Sequence, residues 1–247
     1  MNDGGVIVVG ASAGIGRELA KVFARNGHEV GLTARRREKL VELADELPTA
    51  GYVKEMDIAE TDEARGRLRE LAEEMGGVET IVVNAGVFFT NESLEWETKK
   101  TTIDVNVAGF TAIADAAFDY FVSRGGGTLV GLSSVGALHG GRVAPTYNAS
   151  KAFVSNYLSG LRQKTSAEGL PVTVTDIKPG FVDTESANVE GAFWVAPPEV
   201  AAEQIFDAIQ ADRNHAYVTR RWRLVGWLLK ALPESVHHLL NRYTSVD

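Results

Sequence analysis

Short apolar runs alternate with amphipathic segments along this chain. The runs are rich in Val, Ile and Leu and end in polar or glycine residues, a pattern typical of strands buried in a parallel sheet. Between them, apolar residues recur every three or four positions, as at Ile15, Leu19 and Phe23, which predicts helices with one buried face. The predicted strands lie at 6–9, 29–33, near Val53, and at 80–83, 128–132, 172–177 and 216–219. The longest predicted helices lie around 103–114 and over 148–168 and 199–211.

Strands and helices alternate without a visible linker or internal repeat. This order predicts one α/β domain over residues 1–247, built as a doubly wound, Rossmann-type parallel sheet of about seven strands with helices on both faces. Residues 185–247 are expected to belong to the same domain as a substrate loop and a helical C-terminal cover.

A glycine-rich turn joins the first predicted strand to the first predicted helix. It reads Gly10-Ala-Ser-Ala-Gly14-Ile-Gly16. Glycines allow a tight turn and let a pyrophosphate approach the backbone at a helix N-terminus. A plain turn is the alternative, but a strand before the motif and a helix after it are the context that a dinucleotide site requires. We therefore predict phosphate binding by Gly10, Ser12, Ala13, Gly14, Ile15 and Gly16.

A second motif follows the predicted strand at 128–132. That strand ends at Ser133 and Ser134, and Tyr147-Asn-Ala-Ser-Lys151 then opens a helical pattern in which Tyr147 and Lys151 share one face. A neighbouring ammonium favours phenolate, so the pKa of Tyr147 is expected to fall and the phenol to become a usable proton shuttle. Ser134 is placed to hydrogen-bond the oxygen that Tyr147 protonates. An ordinary pair on a helix surface is the alternative.

Composition excludes several functional classes. The chain has 25 basic and 33 acidic side chains among 247 residues, and its net charge of -8 argues against nonspecific nucleic-acid binding. It contains no cysteine, which excludes disulfides, thiol catalysis and cysteine-bound zinc, and no metal site is predicted from its five scattered histidines. The N-terminus does not read as a signal peptide and no apolar run reaches membrane-spanning length, so a cytoplasmic protein is expected.

The stretch at 220–232 is basic and rich in tryptophan and leucine. It can be interpreted as a helix lying on a membrane surface, or as a cover for the substrate pocket or a subunit contact. The second interpretation is preferred because the stretch is short and carries few basic residues, and membrane association is not expected.

The motifs occur together in the order found in one enzyme family. From about Gly5 to Thr184 the chain resembles the short-chain dehydrogenase/reductase family, and beyond Thr184 the resemblance is architectural. The motifs are the glycine turn, Asp57-Ile58, Asn84-Ala85-Gly86, Asn106, Ser134, Tyr147 with Lys151, and Pro179-Gly180-Phe-Val182-Asp-Thr184. The resemblance implies reversible hydride transfer between a nicotinamide cofactor and a small carbonyl or alcohol, in a homodimer or homotetramer.

The resemblance also implies residue roles. Tyr147 would be the general acid or base and would also contact the cofactor. Lys151 would tune Tyr147 and hold the nicotinamide ribose, and Ser134 would orient the substrate oxygen. Asn106 would mark an irregular helix that holds a relay water. Binding of the adenine, its ribose and the nicotinamide carboxamide is implied, respectively, for Asp57 with Ile58, for Asn84, Ala85 and Gly86, and for Pro179, Gly180, Val182 and Thr184.

The cofactor preference is predicted from residues after the second strand. Where NAD-dependent relatives carry Asp this chain has Ala34, and Arg35 follows, which predicts NADP(H) in preference to NAD(H), although NAD(H) stays possible. Arg36 can add to this preference. Many NADP-dependent relatives place a second basic residue where this chain has Ala13, which weakens the prediction.

The substrate is expected to be an apolar ketone or aldehyde. This follows from an expected pocket wall of Val135, Leu138, Phe181, Phe193 and Trp194. An NAD(H)-dependent alcohol dehydrogenase and a dinucleotide-binding redox sensor without turnover are the alternatives. An epimerase or dehydratase of the related longer enzymes is disfavoured by the length of the chain.

Overall fold

The computed structural model describes residues 4–184 and 194–224, in which strands and helices alternate. The strands are β1 (Gly5–Val9), β2 (Val30–Ala34), β3 (Gly51–Glu55), β4 (Val78–Val83), β5 (Gly127–Leu132), β6 (Val172–Pro179) and β7 (His215–Val218). The helices are α1 (Gly14–Arg25), α2 (Arg37–Glu46), α3 (Thr61–Glu74), α4 (Trp96–Ile103), α5 (Phe110–Arg124), α6 (Pro145–Glu168) and α7 (Pro198–Gln210). A π-helical segment, Asp104–Gly109, joins α4 to α5, and a 3-10 turn, Val135–Leu138, follows β5.

The described strands form one parallel sheet in the order β3-β2-β1-β4-β5-β6-β7. The predicted seven-stranded, doubly wound sheet is confirmed. The chain reverses its direction of winding between β1 and β4, and in such sheets ligands bind outside the carboxyl ends of the strands at this point. Gly10 follows β1 and Asn84 follows β4, so both motifs lie at this reversal.

Each face of the sheet carries a layer of helices and an apolar core. On one face, α3, α5 and α6 bury side chains such as Leu68, Ile113 and Leu158 against Ile7 and Leu129 of the strands. On the other face, α1, α2 and α7 bury the side chains Leu19, Phe23, Leu40 and Ile205 against Val8, Leu32 and Ile177. Near-continuous apolar strands are the expected result of this double covering.

Some boundaries differ from the predicted ones. Helix α6 begins at Pro145, three residues before the predicted start, because proline is favoured in the first turn, where its missing N–H costs nothing. Strand β6 continues to Pro179 because β7 pairs with it through Val218. These shifts leave Tyr147 and Lys151 within α6, one turn apart.

The helical stretch Trp96–Arg124 is long enough and apolar enough to cross a membrane by length and composition, which corrects the expectation that no such segment exists. In the structure, 61% of the most apolar 18-residue segment of this helical stretch is buried. A helix that is apolar on several sides is typical of a protein core. We interpret Trp96–Arg124 as a core helix.

Candidate active site

The glycine turn forms a bare backbone surface at the start of α1. Gly10 and Gly14 have φ angles of 90° and 55°, which side-chain-bearing residues rarely adopt. A Cβ at Gly16 would lie 2.2 Å from the carbonyl oxygen of Gly10 and 2.5 Å from the side-chain nitrogen of Asn84. The Asn84 side chain donates a hydrogen bond of 2.8 Å to the same carbonyl oxygen, which ties the ends of β1 and β4 together.

The segment after β6 closes the opposite side of this surface. A Cβ built at Gly14 would lie 2.9 Å from Cγ2 of Thr184, and one built at Gly10 would lie 2.7 Å from the Ala85 backbone. The region therefore has open backbone at a helix N-terminus between two flanking segments. These features fit the pyrophosphate of a dinucleotide, because amide groups can reach the phosphates where no side chain intervenes.

Substituting Gly16 with Ala is expected to lower the free energy of unfolding by about 1–3 kcal/mol, because the added methyl group meets backbone that cannot move away. Cofactor affinity should fall with it. Gly66→Ala in α3 is the matched control, since a Cβ there meets nothing within 4 Å, and removing a helical glycine should stabilise by about 0.5–1 kcal/mol. Urea unfolding and cofactor titration measure both effects. Wild-type stability and affinity in Gly16→Ala would contradict the close-approach argument.

Two arginines lie at the predicted adenosine end of the site. Arg35 follows β2 and its guanidinium is 3.9 Å from the Asp57 carboxylate, with two-thirds of its side chain exposed. Arg36 donates a hydrogen bond of 3.0 Å to the hydroxyl of Ser12 in the glycine turn. Asp57 also accepts a hydrogen bond of 3.0 Å from the amide of Ala59. The structure thus brings these predicted cofactor residues to one edge of the turn.

The reacting centre is built on α6 beside the end of β5. Lys151 is buried, and its ammonium donates a hydrogen bond of 2.9 Å to the carbonyl oxygen of Leu132. Its nitrogen lies 5.9 Å from the centre of the Tyr147 ring. Ser134 caps the start of the 3-10 turn, and its hydroxyl accepts a hydrogen bond of 3.0 Å from the amide of Gly136. The three side chains predicted from the sequence therefore converge.

The expected lowering of the Tyr147 pKa is wrong for this structure. Burial of the phenol raises the pKa of Tyr147 above its ordinary value, and the hydrogen bond with Ser134 opposes that rise only in part. The ammonium of Lys151 donates to the Leu132 carbonyl oxygen instead. Burial lowers the pKa of Lys151 to about 8, although the negative charge of Asp176 acts to raise it.

Asn106 lies in the π-helical segment between α4 and α5, so the predicted irregularity of this helix is confirmed. π-helical turns are frequent at functional sites. The Asn106 side chain accepts a hydrogen bond of 2.8 Å from the amide of Val87 and donates one of 2.9 Å to the carbonyl of the same residue. It also donates a bond of 3.1 Å to Ser150. Asn106 thereby holds the segment after β4 against α6.

Gly86 lies beside both Asn106 and Lys151. A Cβ at Gly86 would lie 3.1 Å from the Lys151 nitrogen and 3.2 Å from Oδ1 of Asn106. The absence of a side chain at Gly86 therefore lets the segment after β4 approach both polar groups. Ile58, by contrast, buries its side chain in the core, so only its backbone is available to a ligand.

Two residues that no sequence motif indicated also shape the reacting centre. Phe88 contacts the Tyr147 ring edge to face, with centroids 4.8 Å apart. Asn148 donates hydrogen bonds of 2.9 and 3.2 Å to the carbonyls of Gly136 and His139, which fixes the loop between β5 and α6. Proximity to the Asn84-Ala85-Gly86 and Tyr147 motifs was the available signal, but neither side chain has a distinctive spacing of its own.

The expected substrate wall is only partly described. Val135 and Leu138 lie in the 3-10 turn, while Phe181 and Trp194 are 41% and 45% exposed. Both aromatic rings contact buried Trp222 edge to face, at 5.5 and 6.0 Å between centroids. Phe193 and the part of the C-terminal stretch beyond Leu224 lie outside the described residues.

Trp222 explains one glycine of the Pro179-Gly180 motif. A Cβ at Gly180 would lie 2.0 Å from the Trp222 indole nitrogen. The motif is therefore more than a turn, since it also leaves room for an indole ring beside the site. Val182 pairs with Ala196 in an isolated parallel bridge, which joins this segment to the residues before α7.

Comparison with known proteins identifies the family of this chain. A family model described as short chain dehydrogenase matches residues 5–192. An uncharacterized oxidoreductase of Myxococcus xanthus (strain DK1622) is 40% identical over 184 residues, 72% of each chain. A protein of Escherichia coli (strain K12) named NADP-dependent 3-hydroxy acid dehydrogenase YdfG is 35% identical over 194 residues, 74% of this chain and 75% of its own.

A solved structure shows the same fold. The short chain dehydrogenase/reductase of Burkholderia phymatum in complex with NAD has a TM-score of 0.84 at 20% identity, covering 92% of both chains. At that identity the likeness concerns the fold alone. The family match, however, covers most of the chain and includes both the glycine turn and the reacting centre. This chain therefore belongs to the short-chain dehydrogenase/reductase family of NAD(P)-dependent oxidoreductases.

Proposed function

We propose that this protein reduces an apolar ketone or aldehyde with NADP(H), and that Tyr147 is the general acid. The observation that carries the proposal is the convergence of Ser134, Tyr147 and Lys151 beside the bare glycine turn. When bound, the nicotinamide cofactor supplies the hydride, and the protein supplies orientation and the proton. Gly10, Gly14 and Gly16 would hold its pyrophosphate, and Lys151 its nicotinamide ribose.

The protonation states support a donor role for Tyr147. Because burial raises its pKa, the phenol keeps its proton at neutral pH and can give it to a developing alkoxide. Ser134 would hydrogen-bond the same oxygen. Lys151, with a pKa of about 8, is mostly an ammonium at neutral pH and favours the phenolate left after proton transfer. In the reductive direction, activity should therefore fall as the pH rises through this value.

The aromatic surroundings support an apolar substrate. Phe88 covers one side of Tyr147, and Phe181 and Trp194 are exposed near the Pro179-Gly180 segment. A panel of aliphatic and aromatic ketones, aldehydes and 3-oxo acids, assayed by the absorbance of NADPH and NADH, tests the proposal. The 3-oxo acids test the chemistry in the name of the Escherichia coli relative. Cofactor binding without turnover of any carbonyl or alcohol would favour the redox-sensor alternative.

The preference for NADP(H) is proposed from Arg35 and Arg36. A guanidinium binds two oxygens of a phosphate dianion, and Arg35 is exposed beside Ala34, which offers no carboxylate to repel a 2′-phosphate. Arg36 reaches the glycine turn through Ser12. Ser12 adjoins Ala13, the position where many NADP-dependent relatives carry a basic residue. Arg36 can therefore supply the positive charge that Ala13 lacks. The name of the Escherichia coli relative supports the same cofactor.

Arg35→Ala is expected to erase most of a 10- to 100-fold preference for NADP(H), since a hydrogen bond to a charged group contributes about 1.5–3 kcal/mol. Ala34→Asp should reverse the preference by repelling the 2′-phosphate and accepting hydrogen bonds from the ribose hydroxyls. The measurement is kcat/KM with each cofactor. Arg37→Ala is the control, because Arg37 is an exposed first residue of α2. Equal or better use of NAD(H) by the wild type would contradict the role of Arg35.

We also propose a cytoplasmic homodimer or homotetramer. The exposed apolar side chains of Ile103, at the end of α4, and Phe153, on α6, support this assembly. Ile103 also lines an open concavity together with Val107 and Ala149. Light scattering on the purified protein tests the oligomeric state. The stretch at 220–232 is proposed as a pocket cover or subunit contact, for which failure to sediment with anionic vesicles at physiological salt is the expected result.

A further inference from the structure

A buried carboxylate lies behind the reacting centre and has no role in the proposed reaction. Asp176 is a residue of β6 and its side chain is fully buried. It is in register with Gly131 of β5 and His215 of β7, on the sheet face covered by α6. A buried charge is costly unless it is paired and hydrogen-bonded, so the surroundings of Asp176 must supply several partners.

Those partners come from four elements. Ser133, after β5, donates a hydrogen bond of 2.5 Å to one carboxylate oxygen, and Ser155 of α6 donates one of 2.7 Å to the other. Lys178 of β6 forms a buried ion pair with the second oxygen, and His215 of β7 lies 3.8 Å from it. Burial alone would raise the pKa of Asp176, but the neighbouring His215, Lys178 and Ser133 side chains hold it well below its usual range. Asp176 is therefore an anion at all physiological pH values.

Two of these contacts lead directly to the reacting centre. Ser133 immediately precedes Ser134, so its bond to Asp176 fixes the end of the strand that presents Ser134. Ser155 lies one helical turn after Lys151 on the same face of α6. Burial lowers the pKa of Lys151, and the Asp176 charge acts against that lowering. The carboxylate is thus connected to both Ser134 and Lys151, by geometry and by charge.

We propose that Asp176 is a positioning residue, whose buried charge acts on Lys151 and whose hydrogen bonds hold Ser134 and α6 in register. The inference rests on the proposed role of Lys151 in holding the cofactor and tuning Tyr147. Replacing Asp176 with a neutral residue would let Lys151 lose its proton at lower pH. A purely structural residue would instead weaken the site equally at every pH.

Several other ionisable groups lie around Asp176 and Lys151. Asp176 is faced by Lys178 on its own strand, by His215 and Tyr217 of β7, and by Lys151 and Arg162 of α6. Lys151 is faced by Tyr147 and by Asp176. Arg162 is held by carbonyl oxygens, at 3.3 Å from Val174 and 3.2 Å from Asn214. The charge that raises the pKa of Lys151 is that of Asp176, so it is the one to remove.

The test is the affinity of the full-length protein for NADPH, measured by fluorescence from pH about 6 to about 10, a range that includes the lysine ionisation. In the wild type, affinity should weaken as the pH rises through the pKa of Lys151, near 8. In Asp176→Asn this weakening should begin at lower pH, by on the order of one unit. Ser155→Ala removes a hydrogen bond to Asp176 but keeps the charge, and should leave the pH of weakening unchanged. Lys151→Met should remove the weakening altogether.

The outcomes separate the two proposals. An unshifted pH of weakening in Asp176→Asn, with affinity lowered equally throughout, would overturn the role of Asp176 without affecting the proposed function. Absence of turnover of every carbonyl would overturn the proposed function without affecting this binding measurement. Asp176→Asn removes the buried ion-pair partner of Lys178. If that variant does not fold, Asp176→Asn is made in a Lys178→Met background, and the weakening should then begin at lower pH than in Lys178→Met alone.

Discussion

Tyr147→Phe is expected to lower kcat by about 100- to 10,000-fold, the usual effect of losing a general acid. The substitution keeps the ring that packs edge to face on Phe88 and removes only the hydroxyl. The dissociation constant of NADPH should therefore stay close to that of the wild type. Steady-state reduction of the best carbonyl in the panel measures kcat, and fluorescence titration measures NADPH affinity.

A second tyrosine on α6 provides the matched control. Tyr157 stacks on Phe153 and hydrogen-bonds Asp115, away from Ser134 and Lys151. Tyr157→Phe makes the same chemical change on the same helix and should leave kcat close to the wild-type value. Wild-type turnover by Tyr147→Phe at neutral pH would remove Tyr147 from the mechanism.

Lys151→Met is expected to reduce both the rate of proton transfer and the affinity for the cofactor. The ammonium has two partners in the proposed mechanism, the phenolate of Tyr147 and the nicotinamide ribose. Loss of a charged hydrogen bond should weaken NADPH binding by about 10- to 100-fold. With the positive charge removed, nothing from Lys151 favours the phenolate, so the fall in kcat near pH 8 should be lost and the pKa of Tyr147 should lie still further above that of free tyrosine.

The measurement is a pH profile of kcat alongside NADPH titration. Lys164→Met is the control, because Lys164 lies on α6, is half exposed and pairs with Glu168 on the surface. That variant should match the wild type in both measurements. An unchanged pH profile in Lys151→Met would show that Lys151 does not tune Tyr147, whatever its effect on affinity.

Much of the fold and the residues of the site followed from local patterns. The alternation of apolar strands and amphipathic helices predicted the doubly wound sheet, because burial of each element depends on a periodicity that spans only a few residues. Local spacing also predicted two parts of the site. The glycines at 10, 14 and 16 lie in one turn, and Tyr147 and Lys151 lie on one helix. The resemblance to a family then indicated Asn106 and Asp57, which have no distinctive local pattern.

Only the tertiary structure decided the electrostatics of the site. Spacing places Tyr147 and Lys151 on one face, but burial sets the direction of both pKa shifts, and burial depends on every element packed around them. The position of Asp176 beneath α6 arises from the register of β5, β6 and β7, which are distant in sequence. The contact of Trp222 with Gly180 likewise joins segments that no local pattern relates. By itself, the sequence determined which groups lie near one another along one strand, turn or helix. Packing between these elements determined how deeply each group is buried, and therefore the directions in which the pKa values of Tyr147 and Lys151 shift.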